Sequence, residues 1–225
     1  MKFNHLIYNA FLVFMITVFY PSISAATDIF QYIEKGATEE VIKYLDEDVI
    51  DLEKNNSAGD TPVIVAARYD RLEILRLLVR HGANINALDI RKRDVLNIAI
   101  TTNNPELART AITLGADPTL ITSVYEGGAI IYGSAKGAVE IVDLLIKAGA
   151  PVNRVNKLGW TALLEVAILG DGSKNYITIA EMLIKAGADK TIKDKEGKTA
   201  FDHAYSKGHN KLARILSPSV SLQNQ

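Results

Sequence analysis

Leu77-Leu78-Val79-Arg80-His81-Gly82-Ala83 returns as Leu144-Leu145-Ile146-Lys147-Ala148-Gly149-Ala150, and looser copies close on Leu114-Gly115-Ala116 and Ala186-Gly187-Ala188. The four glycines stand 33, 34 and 38 residues apart. A fixed period of this size marks a tandem array of small modules rather than one continuous core. Counting back 21 positions from Gly82, Gly115 and Gly149 reaches Thr61, Asp94 and Gly128, but Gly187 needs 26 to reach Thr161. The fourth module therefore carries five extra residues.

Each module reads as two helices. Thr61, Asp94, Thr161 and Thr199 stand where a helix begins, and their side-chain oxygens can accept from the free amides of a first turn. A short helix rich in small residues follows, as in Ala66-Ala67, Ala99, Gly133-Ser134 and Ala204. A second, more aliphatic helix, such as Leu72 to His81 or Val139 to Ala148, has apolar residues at helical spacing. The repeated glycine then closes it in the left-handed conformation that only Gly adopts cheaply. Asn84, Asp117, Pro151 or Asp189 follows, with an extended segment leading to the next start.

These stretches resemble the ankyrin-repeat pattern. Gly59-Asp60-Thr61-Pro62-Val63-Ile64-Val65-Ala66-Ala67 with Glu73 to Asn86 matches it, as do Asn156-Lys157-Leu158-Gly159-Trp160-Thr161-Ala162-Leu163 and Asp194-Lys195-Glu196-Gly197-Lys198-Thr199-Ala200-Phe201 with Gly208-His209. The resemblance implies an all-α ankyrin-repeat solenoid of about six helix pairs with short hairpin loops. Its expected parts are a capping repeat over 27–59, repeats at 60–92, 93–126, 127–158 and 159–196, a C-terminal cap over 197–217 and a disordered tail at 218–225. The family histidine is replaced by Ile64, Asn97, Ile131, Leu164 and Asp202, so hydrogen bonding between repeats should be weaker or rerouted. The third module starts at Glu126-Gly127-Gly128 without a capping hydroxyl and is the expected soft junction.

The 225 residues include 25 Lys+Arg, 26 Asp+Glu and no Cys, with 48% apolar. A net charge of −1 supplies no field for a nucleic acid or an anionic membrane. The absence of Cys excludes disulfides, thiolate metal sites and a cysteine nucleophile. The front of the chain reads as an export signal: Lys2, the uncharged run Ala10 to Tyr20, Pro21, and small residues Ser22 to Ala26. Cleavage after Ala26 is expected, with no stable membrane insertion afterwards, because even Leu6 to Tyr20 is too short for the roughly 30 Å hydrocarbon core. An exported array of this kind resembles the periplasmic ankyrin-like proteins of bacteria, so periplasmic work is expected, with secretion as the alternative.

No catalytic constellation stands out. His81 sits in a last helical turn, His209 at a Gly-His turn, and Asp202-His203 are sequence neighbours that do not face each other on a helix. Gly170-Asp171-Gly172 and Gly127-Gly128 lack phosphate-loop spacing, and Asp171 to Asn175 lacks the ligands of a calcium loop. No cofactor and no metal are expected, and the protein is read as a non-enzyme. The resemblance puts contact residues on a concave face of loop tips and first helices: Arg68, Tyr69, Ile90, Arg91, Arg93, Tyr125, Tyr132, Lys157, Leu158, Trp160 and Glu165. Aromatic residues and Arg are the types that dominate binding energy. Tyr132 and Glu165, 33 residues apart, should be spatial neighbours able to bond each other. The extra residues, Leu169 to Tyr176, are either a tolerated loop or a second contact site. A protein partner is expected, with no nucleic acid and a monomeric state. An immunity-type or regulatory inhibitor of an enzyme, or a host-directed effector, are the rival roles.

Overall fold

The computed structural model describes residues 28–46 and 51–218, all helix, turn and loop without a strand among them. The expected leader, 1–26, and nearly all of the expected tail lie outside these residues. The described chain forms six helix pairs: α1 Ile29–Lys35 with α2 Thr38–Leu45, α3 Pro62–Arg68 with α4 Leu72–Arg80, and α5 Val95–Thr101 with α6 Pro105–Thr113. They continue as α7 Ala129–Lys136 with α8 Val139–Lys147, α9 Ala162–Leu169 with α10 Lys174–Lys185, and α11 Ala200–Ser206 with α12 Asn210–Leu216. First helices pack on first helices and second on second, giving two rows in which each pair touches its neighbours in the stack. None of these helices is long and apolar enough to cross a membrane.

The starts follow from the capping residues. Thr61 accepts from the Ile64 N–H, Thr161 from Leu164, and Thr199 and Asp94 sit in capping boxes with Asp202 and Asn97. α7 alone among the first helices of the four central modules starts without a side-chain cap. It starts at Gly128, whose φ is 76° and where a Cβ would lie 2.8 Å from the Leu120 carbonyl oxygen, so only glycine fits. Leu75 and Leu78 of α4, Leu107 of α6, Ile141 and Leu145 of α8 and Leu183 of α10 are fully buried between the rows. Each such side chain stabilises the stack by roughly 1.5–3 kcal/mol through water exclusion.

The loop tips share one device. Asn56, Asp89, Asn156 and Asp194 each accept, through one side-chain oxygen, the backbone N–H groups two and four residues on. This side-chain turn closes the hairpin on itself. The equivalent residue of the third module is Ser123, which accepts only from Tyr125, and both Ser123 and Glu126 adopt positive φ. The tips also join one another: Ser123 N–H donates to the Lys92 carbonyl, Lys157 N–H to Tyr125, and the Lys195 ammonium to Lys157.

The five extra residues do not form a loop. α9 has 8 residues, as α7 does, against 7 in α3 and α5, the turn after it is longer, and α10 reaches 12 residues where α4, α6 and α8 have 9. The elongated α10 carries Tyr176, whose hydroxyl donates to the Ala135 carbonyl of the third module at 3.1 Å. Its ring covers Gly170, where a Cβ would lie 2.2 Å from the Val166 carbonyl oxygen and 2.8 Å from the ring. Gly172 lies against the His209 ring, and the Lys207 ammonium donates to the Ile168 carbonyl. The insertion therefore clamps the third module, the fourth and the C-terminal cap together.

Candidate binding cleft on the first-helix face

Of the eleven expected contact residues, the stack gathers five around one cleft and uses others to hold itself together. Asp89 is buried, and its Oδ2 accepts from Arg68 Nη2 at 2.7 Å and from Arg93 Nε at 2.8 Å and Nη2 at 2.7 Å. Arg68 also grips Asp60 through two nitrogens, at 2.8 and 3.1 Å. Burial alone would raise the Asp89 carboxyl, but the N–H groups of Arg93 and Arg91 and the Arg93 charge outweigh it and hold the group below its ordinary range. Arg68 therefore links one module to the next, Arg93 braces its own hairpin, and both side chains are engaged by the buried carboxylate. Tyr69, Ile90 and Arg91 remain exposed in the same region, with Ile90 lying over Gly59.

Between the third and fourth modules a cleft of about 360 Å³ opens. The tip residues Ser123, Tyr125, Gly127 and Gly128 form one side, and Asn156, Leu158 and Trp160 the other; Ile131, Tyr132, Ala135 and Lys136 of α7 and Glu165 and Leu169 of α9 complete it. Tyr125, Leu158 and Leu169 are exposed at the mouth, whereas Trp160 is half-buried, packed against the core while lining the cleft. Trp160 thus joins the core to the cleft wall. Lys157 stays outside the cleft and pairs with Glu126 at 2.6 Å.

Glu165 is the acidic group of this site. It is 6% exposed, and its Oε1 accepts from the Asn156 amide at 3.0 Å. Burial raises its carboxyl to about 7 from 4.5, and the single bond from Asn156 only partly opposes the shift. Tyr132 does not bond Glu165. Its hydroxyl meets the Thr101 hydroxyl at 3.2 Å in the preceding module, and its ring carries the Lys136 ammonium 5.7 Å from the centroid. The two residues occupy equivalent slots, but the side chain of each is drawn to a different neighbour. Lys136, Leu169 and Asn156 were missed by the reading of contact positions. Asn156 had a signal: it stands nine residues before Glu165, as Asp194 stands nine before His203, and His203 Nε2 meets Asp194 at 2.5 Å.

No group of three or more His, Cys, Asp or Glu among the described residues is arranged to hold a metal. His81 Nδ1 lies 2.8 Å from the Leu77 carbonyl oxygen, and His203 is taken by Asp194. The cleft thus presents aromatic walls and one buried carboxyl.

The family model for ankyrin repeats in three copies matches residues 29–122 and 126–224. The ankyrin repeat protein YahD of Escherichia coli K12 is 32% identical over 170 residues, 74% of this chain and 83% of that protein. A crystallised ankyrin repeat domain of Acinetobacter baumannii AYE superposes with a TM-score of 0.78 at 33% identity, over 84% of this chain and 95% of that one. A chain in the complex of a predatory endopeptidase from Bdellovibrio bacteriovorus with its immunity protein aligns with a TM-score of 0.68 at 26% identity, over 87% and 99% of the two chains.

Proposed function

The chain belongs to the ankyrin-repeat family, and from that premise we propose that it is a non-catalytic protein-binding module working outside the cytoplasm. Ankyrin repeats serve as interaction scaffolds, and a stack of modules presents an extended face for many modest contacts. The observation that carries the reading is the cleft between the third and fourth modules, where Tyr125, Tyr132, Leu158 and Trp160 converge on a buried carboxyl. Aromatic anchors seated in a concave, partly desolvated site are what a binding hot spot requires. The signal-like start of the chain supports export to the periplasm, and secretion is the alternative destination.

The experiment is recovery of the tagged full chain from fractionated cells, with its bound protein, beside the Trp160→Ala/Tyr132→Ala double variant. The expected result is a stoichiometric partner in the envelope fraction that the double variant loses while keeping its helical circular dichroism. A partner retained by the double variant would move binding off the cleft, and recovery in the cytosol alone would refute export.

One observation favours a narrower role. The similarity to a chain in a peptidase–immunity protein complex supports a regulatory or inhibitory binder of a partner enzyme. Inhibition of the co-purified partner's activity at one-to-one ratio is the expected result under that role.

A further inference from the structure

We propose that the cleft between the third and fourth modules receives a basic side chain, lysine or arginine, protruding from the partner protein, with Glu165 as its counter-charge and Tyr132 and Trp160 as its walls. The inference rests on the protein-binding reading above and specifies what the bound surface must present.

The first argument is the unfinished hydrogen bonding of Glu165. A carboxylate can accept several donors, but here one oxygen meets the Asn156 amide, and the residue lines the cleft at 6% exposure. A carboxylate taken out of water is costly unless paired and hydrogen-bonded. No cation among the described residues pairs with it: Lys157 is held by Glu126, and the Lys136 ammonium sits over the Tyr132 ring instead. An arriving ammonium or guanidinium would supply the missing donors and the missing charge.

The second argument is the walls. Ring faces attract cations electrostatically, and the aliphatic stem of Lys or Arg lies well against apolar surface while its head stays polar. Lys136 already shows the Tyr132 face accepting an ammonium, at 5.7 Å. A volume of about 360 Å³ is at the small end of ligand pockets. That suits one long side chain rather than a folded segment.

Lys136 gives the proposal its sign. It is the like charge at the mouth, so its removal should favour a cationic guest and disfavour an acidic one.

The test uses the full chain and four blocked tripeptides with a central Lys, Arg, norleucine or Glu, titrated at pH 8 while the fluorescence of the single Trp is followed. The Lys and Arg peptides should bind at least about tenfold more tightly than norleucine, the scale of a hydrogen bond to a charged group, and the Glu peptide should not bind. Glu165→Gln, which keeps an acceptor for Asn156, should bring Lys down to the norleucine level, and Lys136→Gln should tighten it. Equal binding of Lys and norleucine, indifference to Glu165→Gln, tightening of the Glu peptide by Lys136→Gln, or no saturable binding of any peptide would each overturn the proposal. These outcomes leave the co-purification test untouched. Conversely, failure to recover a partner would defeat the protein-binding reading even if the lysine peptide bound.

Discussion

Replacing Asp89 separates the two jobs that one buried side chain does in the stack. Its Oδ1 closes a hairpin by accepting the Arg91 and Arg93 N–H groups at 2.8 and 2.9 Å, and its Oδ2 binds Arg68 and Arg93. Asp89→Asn keeps the first job, since Asn56 and Asn156 perform it at equivalent tips, but it sets an amide NH2, a donor, where Oδ2 accepted from Arg68 and Arg93, and so loses those bonds together with the charge. Hydrogen bonds to charged groups contribute roughly 1.5–3 kcal/mol against about 1 for neutral ones. The side chains of Arg68 and Arg93 are 31% and 22% exposed, so water offsets part of the lost charged bonds, and a loss of about 2–3 kcal/mol is expected. Asp89→Ala also strands the two backbone donors of the hairpin, for a loss of about 3–5 kcal/mol in all. Urea unfolding followed by circular dichroism at pH 7 measures both, and amide exchange should rise first at residues 89–94, where modules can open locally. The carboxyl is held below its ordinary 3.8 in the folded state. Its stabilisation is therefore present above that value and lost as pH falls through the folded one, so the gap between wild type and Asp89→Asn should close in strong acid. An Ala variant within about 0.5 kcal/mol of wild type, or Asn and Ala variants of equal stability, would refute the reasoning.

Two further outcomes follow from the fourth module. Tyr176→Ala should destabilise by about 2–4 kcal/mol through the lost ring over Gly170 and Gly137, whereas Tyr176→Phe, losing only the bond to Ala135, should cost about 1 kcal/mol; thermal unfolding reads both, and similar values would deny the clamp. The Glu165 carboxyl lies at about 7 in the folded chain against an ordinary 4.5, so its favourable term is full below about 4.5 and is lost as pH rises through about 7. Glu165→Gln should accordingly be more stable than wild type by roughly 1–3 kcal/mol at pH 8 and no more stable at pH 4; parallel urea curves across that range would contradict the burial argument.

The repeat glycines, the capping residues Thr61, Asp94, Thr161 and Thr199 and the small-residue first helices were legible because each acts within a few residues of itself. The insertion was legible as a count but not as a shape. Its extra residues joined a helix because Lys174 to Tyr176 continue the apolar period of α10 and the Tyr176 ring finds cover on the neighbouring module. Arg68 and Arg93 looked like free contact residues because nothing local shows that Asp89, one module on from Arg68, is buried between them. Tyr132 and Glu165 line one cleft without bonding each other, since Thr101 and Asn156 take their polar atoms.

The linear order of residues was enough for the period, the helix pairs, the caps and the family, because those depend on backbone conformation and on contacts repeated at constant spacing. Only the stacked structure decided which side chains are spent and which are left over. Burial gives Asp89 two arginines and leaves Glu165 with one amide at the bottom of an aromatic cleft. That allocation depends on which groups the packing buries and on the Arg68–Asp89 contact between modules, neither of which local spacing along the chain encodes.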